Sequence, residues 1–158
     1  TRGMLVMAMS NKYGYIPLNT SNKSEAAVGY GTLYGDLCGS LGTIGDVFKT
    51  DIYALARYIN RNQIIIPENT IQKAPSAELR PNQKDQDSLP DYNELDGILK
   101  LYLEENHSPE MIIKAGYPKA TVEKAIQMVK RNEYKRAQCP PIIKISKKAF
   151  GYGRKYPF

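Results

Sequence analysis

Residues 15–28 read YIPLNTSNKSEAAV, an apolar segment followed by a polar turn and a run of helix formers. The apolar residues at 15–18 predict a short strand, with Pro17 at its edge or end because proline has no backbone N–H. The turn at 19–22 then leads into a helix that begins at Lys23. Such strand–loop–helix units occur in open α/β sheets, which bind ligands beyond the carboxyl ends of their strands.

The neighbouring segments predict a helix on each side of this unit. The first runs through residues 4–9 and ends at Gly14, since glycine readily adopts the left-handed conformation that ends helices. After a glycine-rich loop at 29–45, the second runs over residues 46–60. Its predicted apolar face consists of Ile52, Leu55, Ala56 and Ile59.

The second half of the chain is predicted to be helical, after an irregular segment at 61–90 in which residues 64–66 form a brief strand or a buried plug. Ser108 followed by Pro109 predicts a helix start. Two amphipathic helices are predicted at 91–105 and 121–132. Their apolar faces are Leu95, Ile98, Leu99 and Tyr102, and Val122, Ala125, Ile126 and Val129.

Composition favours one globular domain, because 42% of the 158 residues are hydrophobic. No apolar run approaches the roughly 20 residues that cross a bilayer, and residues 4–9 are too short for a signal peptide. We therefore expect a soluble, cytoplasmic protein that binds no membrane. Cys38 and Cys139 are expected to be free thiols, without a disulfide or a zinc site.

Charge is concentrated at the C-terminus. Residues 130–158 hold nine of the 22 Lys and Arg residues and one of the 16 Asp and Glu residues. Such a basic segment either attracts phosphate-bearing ligands or nucleic acid, or is simply a solvated surface. An acidic group is interpreted as solvated loop and helix-start carboxylates rather than a cation site; it consists of Asp85, Asp87, Asp91, Glu94 and Asp96.

The turn at 19–25 is the sharpest local signal for chemistry. Its hydroxyls, amides and N–H groups are suited to an anion at a helix N-terminus, and Glu25 offers a hard oxygen to Mg²⁺. The alternative is a capping box, in which Asn22 caps the helix and Glu25 reaches back to it. The sequence leaves both interpretations open.

Longer motifs extend this turn. They are NTSNKSE at 19–25, AAVGYGTLYGDLCG at 26–39, PSAELRP at 75–81, DQDSLP at 85–90, KRAQCPP at 135–141 and AFG at 149–151. Together they resemble the synthetase domain of the glutamine-dependent NAD synthetases, in the order found in that family. The resemblance covers nearly the whole chain, and residues 104–132 are generic.

The resemblance implies part of a doubly wound, Rossmann-like α/β domain of the ATP pyrophosphatase (adenine nucleotide alpha hydrolase-like) type. The helical C-terminal region would end in an irregular basic tail at 133–158. The implied reaction is NAD biosynthesis, in which ATP with Mg²⁺ adenylates deamido-NAD and ammonia displaces AMP. Carried over by motif, the ATP contacts are Thr20, Lys49 and Ser76, the deamido-NAD contacts are Glu25, Lys135 and Arg136, and Glu25 is also the metal ligand.

Each of these residues has a simpler interpretation. Lys49 could be a solvated lysine, Ser76 a turn cap, and residues 135–136 surface charges. We expect the strand at 15–18 to bring Thr20 and Glu25 into one cleft. Segments 61–90 and 130–158 are expected to be mobile or stabilised by a neighbouring subunit of a homo-oligomer.

The chain also departs from the family pattern. It contains no Ser-Gly-Gly-x-Asp-Ser loop to hold pyrophosphate, and no glutaminase domain to release ammonia from glutamine. With Thr1 directly before a helix, this suggests a C-terminal piece that is inactive alone. The alternatives are another ATP-pyrophosphatase amidotransferase, a noncatalytic folding unit, or a nucleic-acid module. In the last case the stacking residues would be Phe150, Tyr152, Tyr156 and Phe158.

Overall fold

The computed structural model describes residues 1–77 and 79–151, which form short helices around one small parallel sheet. None of the described helices is long and apolar enough to cross a bilayer. In chain order the elements are α1 (Arg2–Tyr13), β1 (Leu18–Asn19), α2 (Lys23–Val28), β2 (Leu41–Gly42), α3 (Lys49–Ile59), α4 (Glu68–Gln72), a 3₁₀ turn (Asp85–Asp87), α5 (Tyr92–Leu99), a π-helix (Lys100–Glu104), α6 (Pro109–Lys114), α7 (Lys119–Arg131) and α8 (Glu133–Arg136).

The sheet joins three distant parts of the chain. β1 pairs in parallel with β2, with Leu18 opposite Leu41. On the far side of β2, Gly42 forms a parallel bridge to Ile142 in the tail. Parallel pairing with helical connections is the α/β architecture expected from the sequence.

The strand lies later than predicted. Tyr15 and Ile16 are 64% and 70% exposed, and β1 begins only at Leu18. Pairing with the neighbouring segment starts where the Pro17 carbonyl accepts a hydrogen bond from the Ser40 N–H at 2.8 Å. The prediction of a strand at 15–18 is therefore wrong in its bounds, because the strand begins three residues later, at Leu18. Pro17 has no N–H to donate to a neighbouring strand.

The core is helical, and the apolar faces predicted at 91–105 and 121–132 form half of it. Contributions to one buried cluster come from α2, α5, the π-helix, α6 and α7. Fully burying an aliphatic side chain contributes about 1.5–3 kcal/mol relative to leaving it exposed. The residues at or below 1% exposure in this cluster are Ala27, Val28, Leu95, Ile98, Leu99, Leu103, Ile112, Val122, Ala125 and Val129.

Several local predictions hold. Gly14 ends α1 with a φ of 69°, and Ser108 caps α6 through a 3.3 Å hydrogen bond from the Met111 N–H. Cys38 and Cys139 are both free thiols. Local signals were sufficient here because a cap or a left-handed residue acts within a few positions of itself.

Two predictions about the middle of the chain are wrong. Ile64 and Ile65 are 78% and 59% exposed and are neither a strand nor a plug. Their backbone is held instead by the Asn60 amide, which accepts from Ile65 N–H at 3.0 Å. The second helix starts at Lys49 rather than residue 46, and Leu55 on its predicted apolar face is 47% exposed.

The tail folds back over the helices. After α8, residues 137–151 contain no further helix and return to β2 at Ile142. Phe150 is 7% exposed and belongs to the core, so it does not present a ring to nucleic-acid bases. The remaining proposed stacking residues, Tyr152, Tyr156 and Phe158, lie outside the described residues.

Candidate functional site

A polar cleft of about 400 Å³ opens beyond the carboxyl end of β1. We call this the polar cleft. Its walls come from the turn after β1, from α2 and the loop that follows it, from the start of α3, from the segment at 76–85 and from α8. Among the residues that line it are Thr20, Glu25, Tyr30, Asp36, Lys49, Ser76, Gln83, Asp85 and Lys135.

The expected convergence of Thr20 and Glu25 in one cleft is confirmed. The turn that carries Thr20 is fixed by Asn19, which is 5% exposed. Its amide donates to the carbonyls of Asp36 at 2.9 Å and Cys38 at 3.1 Å, and its oxygen accepts from the Ser21 N–H at 2.9 Å. The strand end is therefore shaped by a buried amide, and Thr20 follows it into the cleft.

Glu25 forms the capping box that the sequence offered as one of two interpretations, and its carboxylate also lines the cleft. One carboxylate oxygen completes the capping box, accepting from the Asn22 N–H at 3.2 Å while Asn22 accepts from the Glu25 N–H at 2.9 Å. The other oxygen, Oε1, lies 3.0 Å from Lys49 Nζ across the cleft. The cap thus holds the carboxylate in place and leaves Oε1 to face the cleft.

Lys49 reaches the cleft because its own helix end is capped by other elements. The Lys49 N–H donates to Ser24 Oγ at 2.9 Å, and the Thr50 N–H donates to Asp96 Oδ2 at 2.8 Å. Ser24 in turn donates to Asp96 at 2.5 Å. Asp96 is 1% exposed, and its burial raises the pKa of its carboxyl group above the usual range.

Asp96 is therefore no solvated carboxylate, and neither is Asp85, which is 3% exposed. Asp85 Oδ2 accepts from the Tyr92 hydroxyl at 2.8 Å. Its Oδ1 and the hydroxyl of Tyr30 are buried, and neither has a hydrogen-bond partner among the described residues. Burial, together with the Asp85 charge, raises the pKa of Tyr30. Burial also raises the pKa of Tyr92, so both phenols remain protonated.

Lys135 and Arg136, the two predicted contacts in the tail, lie in different environments. Lys135 lines the cleft, and its ammonium donates to the carbonyls of Gly29 at 2.7 Å and Gly31 at 2.8 Å. Arg136 is 8% exposed and is directed away from the cleft, with Glu133 Oε2 at 2.9 Å from Nη2 and the Ala27 carbonyl at 2.6 Å from Nη1. Its guanidinium joins α2 to α8, which leaves it no place among the cleft residues.

A second polar cluster, which the sequence did not indicate, fastens the tail. Lys23 is fully buried, and its Nζ lies 2.8 Å from Asp46 Oδ1 and 2.7 Å from Glu104 Oε1. It also donates to Ser146 Oγ at 2.7 Å and to the Lys148 carbonyl at 2.9 Å. The motif placed Lys23 beside the site, but its partners lie too far along the chain to be identified from spacing.

Comparison with known proteins agrees with this architecture. A family model described as NAD synthase matches residues 1–139. The chain belongs to the NAD synthase family. A glutamine-dependent NAD(+) synthetase from Aquifex aeolicus (strain VF5) is 54% identical over 156 residues, which are 99% of this chain and 28% of the relative. One from Synechocystis sp. (strain ATCC 27184 / PCC 6803 / Kazusa) is 51% identical over 156 residues, again 99% of this chain and 28% of the relative.

Solved structures of this NAD synthase family share the fold. The crystal structure of a glutamine-dependent NAD(+) synthetase from Cytophaga hutchinsonii matches with a TM-score of 0.75 at 25% identity, covering 99% of this chain and 26% of that chain. The Rossmann-like fold and the family resemblance found in the motifs are thus confirmed. The chain spans 28% of the length of the two curated relatives above.

Proposed function

We propose that this chain supplies the nucleotide cleft of an enzyme that converts deamido-NAD to NAD at the expense of ATP. The observation that carries the proposal is the meeting of Thr20, Glu25, Lys49, Ser76 and Lys135 in one polar cleft. These residues come from four separate parts of the chain, so sequence proximity explains only the pairing of Thr20 with Glu25. Membership of the NAD synthase family supplies the substrates.

The proposed reaction has two steps. A nicotinate carboxylate oxygen bonds to the α-phosphorus of ATP as pyrophosphate leaves, which gives an acyl adenylate. Ammonia then bonds to the acyl carbon through nitrogen, loses a proton, and AMP leaves with the electrons of the broken C–O bond. Both steps move negative charge among phosphate oxygens, so fixed cations at those oxygens lower the barrier.

Lys49 and Thr20 are positioned to serve the phosphates and the adenosine of ATP. The Lys49 ammonium is held near the Tyr92 ring, with its Nζ 5.4 Å from the centroid, and it neutralises Glu25 until a ligand enters. A triphosphate that binds in the cleft offers Lys49 a more highly charged partner. Ser76 supplies a hydroxyl from the segment at 76–85.

Glu25 fits the Mg²⁺ site that the family implies. Mg²⁺ in nucleotide sites is held by one or two carboxylates together with phosphates and waters. Glu25 Oε1 is the cleft-facing oxygen, whereas Oε2 is used by the cap. When bound, Mg²⁺ would neutralise phosphate charge, and Glu25 would exchange Lys49 for the metal while Lys49 turns to the phosphates.

Lys135 is assigned to deamido-NAD. Its ammonium has three donors, and the Gly29 and Gly31 carbonyls engage two of them at the rim of the cleft. The third remains for a ligand oxygen. We do not extend this role to Arg136, whose guanidinium is used by buried carbonyls and by Glu133.

A chimera tests the proposal. Residues 1–158 replace the matched segment of the Aquifex aeolicus relative, and NAD formation is measured from deamido-NAD, Mg·ATP and ammonia. We expect turnover, and we expect Glu25→Gln or Lys49→Ala to lower kcat/KM by about 10²–10³-fold, the loss typical of one preorganised group that stabilises charge.

An exposed ion pair on α7 provides the matched control. Lys119 and Glu123 lie 3.8 Å apart with side chains 73% and 59% exposed. Lys119→Ala and Glu123→Gln should leave kcat/KM unchanged within a factor of two or so. A folded chimera without turnover would contradict the proposed function, and an active chimera indifferent to Glu25→Gln would remove Glu25 from the site.

Two partners belong to the same proposal. A glutaminase domain would release the ammonia from glutamine, in keeping with the glutamine dependence in the names of the relatives. A homo-oligomer is supported by the apolar surface of α1, where Met4, Leu5 and Met9 are at least half exposed. Sedimentation over a wide concentration range would show association, and a monomer throughout would count against it.

A further inference from the structure

The segment at 75–85 forms one wall of the polar cleft, and Asp85 fixes its position. The Asp85 N–H donates to the Pro75 carbonyl at 2.9 Å, which closes the base of the segment directly beside Ser76. Between these ends, residues 79–82 are exposed, with Leu79 at 66% exposure. Wherever Asp85 is held, Ser76 is therefore held as well.

Tyr92 is the residue that holds Asp85. It is the first residue of α5, it is 5% exposed, and its hydroxyl donates to Asp85 Oδ2 at 2.8 Å. α5 is deeply packed, since Leu95, Ile98 and Leu99 are at or below 1% exposure. The hydrogen bond thus attaches an exposed segment to a rigid element.

The same side chain also lies beside Lys49, the first residue of α3. Lys49 Nζ lies 5.4 Å from the centroid of the Tyr92 ring. The hydroxyl binds Asp85 in the segment that carries Ser76, and the ring lies beside the Lys49 ammonium. The two functions are chemically separable, because phenylalanine keeps the ring and removes only the hydroxyl.

We propose that Tyr92 is a positioning residue that sets the separation of Ser76 and Lys49 across the polar cleft, and so fits the cleft to a nucleoside triphosphate. The inference rests on the proposed function for the identity of that ligand. Tyr92 itself touches no reacting atom. Its contribution is to hold two ligand-binding walls at a fixed distance before the ligand arrives.

Amide hydrogen exchange on the 158-residue chain tests the attachment directly. A hydrogen bond to a charged acceptor shifts a local opening equilibrium by about 10–100-fold. We expect Tyr92→Phe to accelerate exchange by that factor at Asp85 and Leu89, whose N–H groups are bonded to Pro75 and Asp85 carbonyls. Exchange in α7 at Val129, which is fully buried, should not change.

Tyr117→Phe is the matched control. Tyr117 packs against α5 at Gly97, away from the polar cleft, with its hydroxyl directly over the glycine. Its loss should leave exchange at Asp85 unchanged. Unchanged exchange at Asp85 in Tyr92→Phe, or equal acceleration in both variants, would overturn the attachment.

A double-mutant cycle on Mg·ATP affinity separates positioning from mere support. Affinity is measured by NMR titration for the wild type, Tyr92→Phe, Ser76→Ala and the double variant. If Tyr92 acts through Ser76, Tyr92→Phe weakens binding about 10-fold and the double variant is no weaker than the weaker single variant. Faster exchange with unchanged affinity, or fully additive losses, would refute the positioning role.

The outcomes distinguish this inference from the proposed function. A wild-type chain that binds no Mg·ATP at millimolar concentration refutes triphosphate binding by this chain and with it the fit to that ligand, whether or not exchange shows the attachment. A wild type that binds, combined with a Tyr92→Phe variant that binds equally well, leaves the proposed function standing and removes Tyr92 from it.

Discussion

Replacing Lys23 with methionine should loosen the tail and destabilise the whole chain. The Lys23 and Asp46 side chains are both 0% exposed, and Nζ lies 2.8 Å from Oδ1. Methionine fills similar space but leaves the Asp46 carboxylate buried without its cation. Breaking a buried pair from one side costs about 3–5 kcal/mol, against a total stability of about 5–15 kcal/mol for a domain.

Part of this loss should be recoverable. In Lys23→Met/Asp46→Asn no charge of the pair remains buried without a partner, so the double variant should be more stable than Lys23→Met alone. Three contacts of Asp46 with the tail are affected only by the second change, including the Ile145 N–H at 2.8 Å. Urea denaturation followed by circular dichroism measures the free energy of unfolding of the wild type, Lys23→Met and the double variant. Lys119→Met is the exposed control, expected to lose less than about 0.5 kcal/mol.

The ionisation of Asp46 determines how stability should change with pH. Burial opposes ionisation of Asp46, but hydrogen bonds from Lys23, Ser146 and Ile145 prevail and lower the pKa of its carboxyl group. A folded pKa below the unfolded value gives stability that is present above the unfolded pKa and disappears as pH falls through the folded one. Wild type should therefore lose more stability on acidification below pH about 4 than Asp46→Asn. A loss under about 1 kcal/mol for Lys23→Met, or parallel acid profiles, would refute this reasoning.

Two further substitutions test the contacts between α2 and the end of the chain. Arg136→Met should lower the free energy of unfolding, measured by urea denaturation, by about 3–5 kcal/mol. The reason is that Glu133, which is 7% exposed, loses the guanidinium that lies 2.9 Å away. A loss as small as that of Lys119→Met would mean that Arg136 is solvated. Gly29→Ala should lower Tm more than Gly14→Ala. Both glycines have φ near 70°, but only at Gly29 would a Cβ overlap another side chain, that of Asn132. Equal shifts in Tm would contradict this packing.

The sequence predicted the structure where the cause is local. The apolar face of α7, with Val122 and Val129 fully buried, follows from helical periodicity alone. The capping box of Asn22 and Glu25 is one of the two interpretations that their spacing of three residues offered, and the structure shows it. These features need no knowledge of what lies elsewhere in the chain.

Where the cause is distant, the sequence failed. Asp96 looks like a helix-start carboxylate, but Ser24, 72 residues away, donates to it in the interior. Ile64 looks like a core residue, but none of the residues at 1–77 and 79–151 packs against it closely enough to bury it, and it is 78% exposed. The role of Lys23 depends on Ser146, which is 123 positions further on. In each case burial and pairing are decided by tertiary contacts that periodicity does not encode.

The motifs predicted five residues that the structure brings into one cleft. Thr20, Glu25, Lys49, Ser76 and Lys135 lie in the polar cleft, while the adjacent Arg136 is directed into the interior. Neighbouring residues of a short helix point in different directions, since successive side chains are about 100° apart. Asp85 and Tyr92 were missed because their partnership becomes visible only when the segment at 75–85 returns to the start of α5.

The bridge between Gly42 and Ile142 has a consequence for how the polypeptide acquires its shape during synthesis. A ribosome must deliver about a hundred further residues after β2 before the third segment of the ribbon exists, and chains are made at about 5–20 residues per second. Throughout that interval one edge of β2 has no partner and can pair with a strand of another molecule. Long-range closure of this kind also slows folding. The nascent polypeptide is thus vulnerable to aggregation at this edge of β2 until Ile142 has emerged.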